Sequence, residues 1–195
     1  INRVVTCSEF SKKRIAFHFP NAAHKIFVVP NGLTNLALSH EKQQVEQQVE
    51  QQVEQPSENQ RNKAPKLVSG EYVLSVGSLE PRKNIKSLIE LWQKYYANSD
   101  LKLVLVGAQN SNFSNVGITS LPNNVIRLGY VSDRELATLY KRALLFVYPS
   151  LYEGFGLPPL EAMAYGTPVL ISNADALHEV VADAGLVFDV KSETA

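Results

Sequence analysis

Two segments of this 195-residue chain concentrate side chains whose types and spacing could do chemistry. The first, residues 77–84, reads Gly-Ser-Leu-Glu-Pro-Arg-Lys-Asn and carries two adjacent cations, Arg82 and Lys83. Arginine presents a planar fork of donors to phosphate oxygens and lysine a mobile point charge, a pair suited to a diphosphate held without a metal. Taken alone, two such residues are more often a solvated pair of loop charges, so the second segment must decide.

The second segment, residues 148–161, combines glycines, the start of a helix and two glutamates. Two glycines flank Phe155, so the backbone can approach a ligand closely. The helix that opens at Pro158 should turn its free N–H groups and positive dipole end toward the same place. Glu153 lies before the glycines, where no cap or helix face explains it. Glu161 is expected in the first helical turn, where stabilising the helix dipole is the simpler explanation.

Together, the two segments predict a ligand with both phosphates and hydroxyls. A carboxylate cannot bind phosphate, but it can accept hydrogen bonds from vicinal hydroxyls of a ribose or a hexose. Each hydrogen bond to a charged group contributes on the order of 1.5–3 kcal/mol, so about five or six would hold such a ligand with micromolar affinity. Cations and amides for a diphosphate, with glutamates for hydroxyls, indicate a sugar nucleotide.

The elements around these segments predict an α/β fold. Apolar strand candidates alternate with amphipathic helices, and Ser132 with Glu135 forms a capping box at the start of one helix. Strands buried on both faces and joined by helices require a parallel sheet with right-handed crossovers. We therefore predict a Rossmann-like parallel sheet with helices on both faces. The strand candidates are residues 72–76, 101–106, 125–128, 144–148, 169–171 and 186–189.

The chain divides into three parts on composition. Residues 1–38 read as a short αβ piece, with a helix capped by Ser8 between two strands. Residues 39–66 form a low-complexity linker containing a Gln-Gln-Val-Glu repeat, which is either an expanded solvated segment or a small self-associating helix. Residues 67–195 form the ligand-binding domain.

Composition excludes several classes of protein. Nineteen basic and nineteen acidic residues give no net charge, which argues against a nucleic-acid binder. The single cysteine, Cys7, excludes an internal disulfide, and we expect it to be a small buried hydrophobe in a cytoplasmic protein. The four histidines lack metal-ligand spacing, and His178 is expected at the surface. The longest apolar run, residues 143–148, is too short to span a membrane.

The motifs resemble a known family. Residues 72–189, with Val-Gly-Ser-Leu-Glu-Pro-Arg-Lys-Asn and Pro-Ser-Leu-Tyr-Glu-Gly-Phe-Gly-Leu-Pro-Pro-Leu-Glu-Ala-Met-Ala-Tyr-Gly-Thr-Pro-Val, resemble the donor-binding half of retaining GT-B glycosyltransferases of family 4, the group 1 enzymes. Residues 6–11 and 28–32 are similar to the segment where those enzymes pass between their two domains. The chain departs from many members at Ser78, where they carry an arginine or another polar group.

The resemblance implies a role for each motif. Arg82 and Lys83 would bind the diphosphate, Glu153 would contact the transferred sugar, and Glu161 would contact the ribose. The implied catalytic residues are Glu153, Arg82 and Lys83, and the implied donor-binding residues are Gly77, Arg82, Lys83, Gly154, Phe155, Gly156, Leu157 and Glu161.

The function implied is transfer of a hexose from a nucleoside diphosphate to a hydroxyl acceptor with retention of configuration, as in polysaccharide biosynthesis. The acceptor would be a glycan or a lipid-linked glycan. No cofactor and no metal are expected, and the sequence contains no Asp-x-Asp triplet that would hold a divalent ion. The resemblance also implies that most of an acceptor domain is missing, so a non-catalytic nucleotide-sugar-binding module or truncated remnant is the alternative. A helix-mediated interaction protein built on the repeat is a third possibility.

Overall fold

The structure, a computed structural model, describes residues 2–33, 68–107 and 121–190. The predicted linker, residues 39–66, lies outside the described residues, and the three-part division of the chain stays a prediction. The strands are β1 Val4–Thr6, β2 Ile26–Val28, β3 Tyr72–Val76, β4 Lys102–Val106, β5 Val125–Gly129, β6 Leu145–Tyr148, β7 Val169–Ser172 and β8 Leu186–Phe188. The α-helices are α1 Glu9–His18, α2 Ile85–Tyr96, α3 Asp133–Arg142, α4 Leu157–Ala164 and α5 Asp175–Val181.

Six strands form one parallel sheet in the order β5-β4-β3-β6-β7-β8. The predicted Rossmann-like fold is therefore confirmed. Chain progression runs outward in one direction from β3 to β5 and in the other from β6 to β8. At such a reversal the loops after the two central strands diverge and leave a crevice at their carboxyl ends. The loops after β3 and β6 are the two segments that carry the predicted chemistry.

Both faces of the sheet are buried, because neighbouring strand residues point to opposite sides. In β3, Tyr72 and Leu74 belong to a core that also contains residues of α3, α4 and α5. Val73 between them packs into a second core on the other face, with Ile89 and Trp92 of α2. Near-continuous apolar strands are typical of a parallel sheet covered by helices on both sides.

Local sequence signals set several helix ends. The capping box at the start of α3 forms as predicted, with Ser132 accepting from the Glu135 N–H and the Glu135 side chain accepting from the Ser132 N–H. At the start of α2, the sequence predicts Asn84 as the helix cap, and this prediction is only partly confirmed. Asn84 occupies the cap position with φ of 55°, a left-handed conformation that asparagine tolerates, but its side chain accepts from the Ser87 hydroxyl instead of a helix N–H.

The N-terminal piece pairs β1 with β2 in parallel and places α1 between them in sequence, as predicted. Ser8 caps α1 by accepting a hydrogen bond from the Ser11 N–H at 3.0 Å. The Glu179 carboxylate of α5 accepts from the backbone N–H groups of Glu9 and Phe10 at 2.8 and 2.6 Å. The piece is thus anchored to the larger domain. Across the described ranges, no helix combines the length and apolar character that crossing a membrane requires.

Candidate functional site

The loops after β3 and β6 bring the predicted cations and the first glutamate together. Arg82 and Lys83 lie in a 3-10 turn, Pro81–Lys83, directly before α2. The backbone N–H of Leu151 donates to the Arg82 carbonyl at 2.7 Å and ties the two loops to each other. Residues about 70 positions apart in sequence thereby meet at the crevice because β3 and β6 are neighbours in the sheet.

Lys83 and Glu153 form a nearly buried ion pair. The Lys83 Nζ lies 2.5 Å from the Glu153 Oε1, and the two side chains are 11% and 8% exposed. The same Nζ donates to the Tyr148 hydroxyl at 2.6 Å and lies 5.0 Å from the centre of the Tyr148 ring. A buried ion pair offsets its desolvation cost only when further hydrogen bonds satisfy its remaining groups, and Tyr148 supplies one of these.

Arg82 lies at the rim of the crevice. Its Nη1 donates to the Glu153 Oε2 at 3.3 Å, and its side chain is 45% exposed, against 8% for Glu153. Its Nε lies 2.6 Å from the Glu80 Oε2, and this hydrogen bond is the main reason that the pKa of the Arg82 guanidinium is raised. The Ser78 hydroxyl donates to the other Glu80 oxygen at 2.6 Å. Hydrogen bonds from Ser78 and then from Arg82 lower the pKa of Glu80.

The cations and the carboxylate are therefore paired with one another in this structure. A ligand that used Lys83 and Glu153 would have to take the place of one partner of a buried pair. The exposed half of the Arg82 guanidinium can receive an anion without that exchange.

Glu161 hydrogen-bonds to a residue outside the cluster formed by Arg82, Lys83 and Glu153. The Tyr140 hydroxyl of α3 donates to the Glu161 Oε2 at 2.9 Å. Burial, followed by the charge of Glu161, raises the pKa of Tyr140. The prediction that Glu161 falls in the first helical turn is wrong, because α4 begins at Leu157 and its first turn holds no acidic residue. Stabilisation of the helix dipole therefore does not explain this glutamate.

The predicted glycines do three different things. The Gly77 N–H donates to the Val106 carbonyl at 2.8 Å, so this amide already has a backbone partner. The Gly154 carbonyl accepts from side chains of the N-terminal piece. Gly156 occupies the cap position of α4 with φ of 111°, a conformation that side-chain-bearing residues rarely adopt. Because the next helical positions are Leu157 and then two prolines, which lack an N–H, the amides at this helix start are those of Gly156 and Leu157.

Two neighbours of the cluster escaped prediction. Tyr148 is the last residue of β6, and burial together with the negative charge of Glu153 raises the pKa of its hydroxyl. A tyrosine that ends a strand next to a glycine-containing crevice loop is a usable sequence signal. Glu80 lies within the first motif, two residues from both Ser78 and Arg82, and its contacts could have been anticipated from that spacing.

The other candidate residues have structural positions. Cys7 is partly exposed, and its thiol donates to the Gly154 carbonyl at 3.4 Å, so the prediction of a buried hydrophobe is wrong. His178 is exposed on α5, as predicted. The sequence predicts core and helix-surface positions for the aromatic residues of α2, and Trp92 is indeed core while Tyr95 and Tyr96 are exposed. Within residues 2–33, 68–107 and 121–190, no three histidine, cysteine or carboxylate side chains gather in a way that could hold a metal ion.

Comparisons with known proteins find similar mannosyltransferases. The chain is 44% identical over 124 residues to the O-antigen chain mannosyltransferase B of Escherichia coli, which covers 60% of the chain and 32% of that protein. It is 38% identical over 125 residues to the O-antigen chain mannosyltransferase RfbU of Salmonella typhimurium, covering 63% of the chain and 35% of that protein. The chain thus aligns with about a third of the length of these relatives.

The fold is also found in solved structures. The structure superposes on HepE from Anabaena, crystallised in complex with UDP-glucose, with a TM-score of 0.65 and 22% sequence identity, over 96% of this chain and 50% of that one. Residues 56–195 match the sequence pattern of a family described as "Glycosyl transferases group 1". The chain belongs to the group 1 glycosyltransferase family.

Proposed function

We propose that the chain forms the donor-binding part of a glycosyltransferase that transfers a hexose from a nucleoside diphosphate to a hydroxyl of a glycan or lipid-linked glycan. The observation that carries the proposal is the meeting of Arg82, Lys83 and Glu153 at the sheet reversal, with Glu153 within 2.5 Å of one cation and 3.3 Å of the other. Two cations and a carboxylate at one crevice match a ligand with a diphosphate at one end and sugar hydroxyls at the other.

In the proposed reaction, the bond between the anomeric carbon and the diphosphate oxygen breaks, and a bond to the acceptor oxygen forms. The acceptor proton passes to the departing diphosphate. Arg82 and Lys83, with the amides of Gly156 and Leu157, stabilise the negative charge that develops on that diphosphate. Glu153 accepts hydrogen bonds from the sugar hydroxyls and so orients the anomeric carbon. Glu161 contacts the ribose.

Three finer points belong to the proposal. Retention of configuration rests on the motif resemblance, and the anomer formed is identified by NMR of the product. Catalysis without a metal or cofactor rests on the two cations, which supply the positive charge that a divalent ion would otherwise bring. We expect a chelator to leave the rate unchanged. The cytoplasmic location stays a prediction.

The donor is proposed to be a mannose nucleotide, since the similar proteins above are named as mannosyltransferases. UDP-glucose, present in the HepE structure, is the competing donor. Calorimetry of the full chain with GDP-mannose and with UDP-glucose tests binding, and release of free nucleotide in the presence of a mannose-terminated glycan tests transfer. Binding with transfer supports the enzyme. Binding without transfer indicates a nucleotide-sugar-binding module, and no binding of either donor overturns the proposal.

A further inference from the structure

We propose that Ser8 is a positioning residue for Glu153, so that the N-terminal αβ piece forms part of the donor site. The expected effect on the bound sugar rests on the proposed function, whereas the positioning of Glu153 does not. The Ser8 hydroxyl donates to the Gly154 carbonyl at 2.6 Å, and Ser8 is 1% exposed. Gly154 directly follows Glu153 in sequence, and 146 residues separate it from Ser8. The contact therefore joins the first helix of the chain to the loop that carries the proposed sugar-binding carboxylate.

The Gly154 carbonyl is held by more than one donor. The Ser11 hydroxyl donates to it at 3.2 Å and the Cys7 thiol at 3.4 Å. The Ser8 oxygen also accepts from the Ser11 N–H at 3.0 Å as the cap of α1, so its one hydrogen is left to point at Gly154. The peptide bond after Gly154 is thus fixed against the start of α1. We name the contacts of Cys7, Ser8 and Ser11 with this carbonyl the Gly154 clamp.

The residue on the other side of Glu153 is held by the same helix. The Phe10 ring meets the Tyr152 ring edge to face, with centroids 5.4 Å apart. Tyr152 and Gly154 flank Glu153, so the first turn of α1 contacts both neighbours of the carboxylate. The Glu179 carboxylate of α5 in turn holds the N–H groups of Glu9 and Phe10. Both neighbours of Glu153 in sequence therefore contact the start of α1, which is itself held to α5 of the larger domain.

These contacts on both sides of Glu153 matter because two of the three residues after Glu153 in this loop are glycines. Glycines at 154 and 156 give it wide backbone freedom, and a carboxylate must be placed within about 0.5 Å to serve a bound sugar. The pair with Lys83 restrains the Glu153 side chain, but a bound ligand would exchange that partner. During such an exchange, the Gly154 clamp would hold the backbone directly after Glu153, as the Leu151 N–H bond to the Arg82 carbonyl holds the loop before it.

Hydrogen exchange on the full chain tests the positioning directly. Ser8→Ala should raise the exchange rates of amides in residues 151–157 about tenfold, and Ser8→Thr, which keeps the hydroxyl, should restore them. Ser132→Ala is the matched control, since it removes the serine cap of α3 in the same way and the Ser132 hydroxyl bonds to Glu135 of its own helix. Unchanged exchange in residues 151–157 of the Ser8→Ala protein would overturn the proposal, whatever the protein binds.

Calorimetry with GDP-mannose and GDP tests the consequence. Ser8→Ala should reduce the preference for GDP-mannose over GDP about fivefold, the loss of one hydrogen bond, while leaving the GDP affinity within about twofold. Ser132→Ala should leave the preference unchanged. An equal loss of affinity for both ligands in the Ser8→Ala protein would make Ser8 merely structural. If the unaltered chain bound neither ligand while Ser8→Ala raised exchange, the donor assignment would fail and the clamp would stand.

Discussion

Glu153 and Glu161, separated by seven residues, occupy two quite different environments. Glu153 is nearly buried between two cations at the carboxyl end of the sheet. Glu161, further along on α4, accepts from the neutral hydroxyl of Tyr140 and is only half-buried. The first carboxylate is compensated by charge and the second by a hydrogen bond. Removing Glu153 would leave a buried cation without its carboxylate, whereas removing Glu161 would leave a hydroxyl without its acceptor.

The largest effect is expected from Glu153→Ala. It would leave the Lys83 ammonium buried with Tyr148 as its remaining hydrogen-bond partner in the described part of the chain, and breaking a buried ion pair costs about 3–5 kcal/mol. Urea denaturation measures that loss. Transfer should fall about 100-fold, and by far more than nucleotide affinity, because the proposed contact is with the sugar. Equal losses in transfer and in nucleotide affinity would contradict the assigned role.

A double-mutant cycle sharpens the contrast with Glu161. Lys83→Ala should weaken both nucleotide binding and transfer, and adding it to Glu153→Ala should cost far less stability than it costs alone, because no buried charge remains unpaired. We expect an interaction energy of about 2–3 kcal/mol for this pair in urea denaturation. Combining Lys83→Ala with Glu161→Ala serves as the control, and those two changes should add. Additivity in the first cycle would show that the ion pair does not form.

Removing single hydroxyls compares the two glutamates at a smaller scale. Tyr140→Phe removes the hydroxyl that donates to Glu161, and Tyr148→Phe removes the hydroxyl that accepts from Lys83. Each should cost about 1 kcal/mol of unfolding free energy. Only Tyr148→Phe should alter the rate of sugar transfer, since its partner touches Glu153. If Tyr140→Phe slowed transfer and Tyr148→Phe did not, the cluster around Lys83 would not be the reacting centre.

Much of the fold could be predicted from the sequence, because its strands and helix ends depend on local patterns. The β3 run Tyr72–Val76 is apolar on both faces, and the capping box at Ser132 uses contacts three residues apart. Parallel strands turn their carboxyl ends to one edge of the sheet, so the loops that carry Lys83 and Glu153 are expected at the same edge.

What escaped prediction depends on contacts between distant residues. The closure of Glu153 on Lys83 spans 70 positions and the Gly154 clamp spans 146, so no spacing in the sequence encodes either. The prediction that Glu161 lies in the first turn of α4 is wrong for a local reason. Gly156 adopts a left-handed conformation, and α4 begins one residue earlier than the prolines suggest.

The smallest effect is expected at the exposed end of the cluster. The pKa of Glu80 is lowered by the hydrogen bond from Ser78 and then by that from Arg82. The contribution of Glu80 to the free energy of unfolding is therefore present above its ordinary pKa and is lost as the pH falls through the lowered value. Ser78→Ala should raise the Glu80 pKa toward its ordinary value, as followed by NMR titration of the Glu80 carboxyl carbon. The stability difference between the two proteins should therefore vanish in acid and appear above the ordinary pKa. Because the Glu80–Arg82 pair is exposed, added salt should bring the Glu80 pKa closer to its ordinary value in both proteins. A Glu80 pKa unchanged by Ser78→Ala would contradict this prediction, because it would mean that the Ser78 hydroxyl does not lower that pKa.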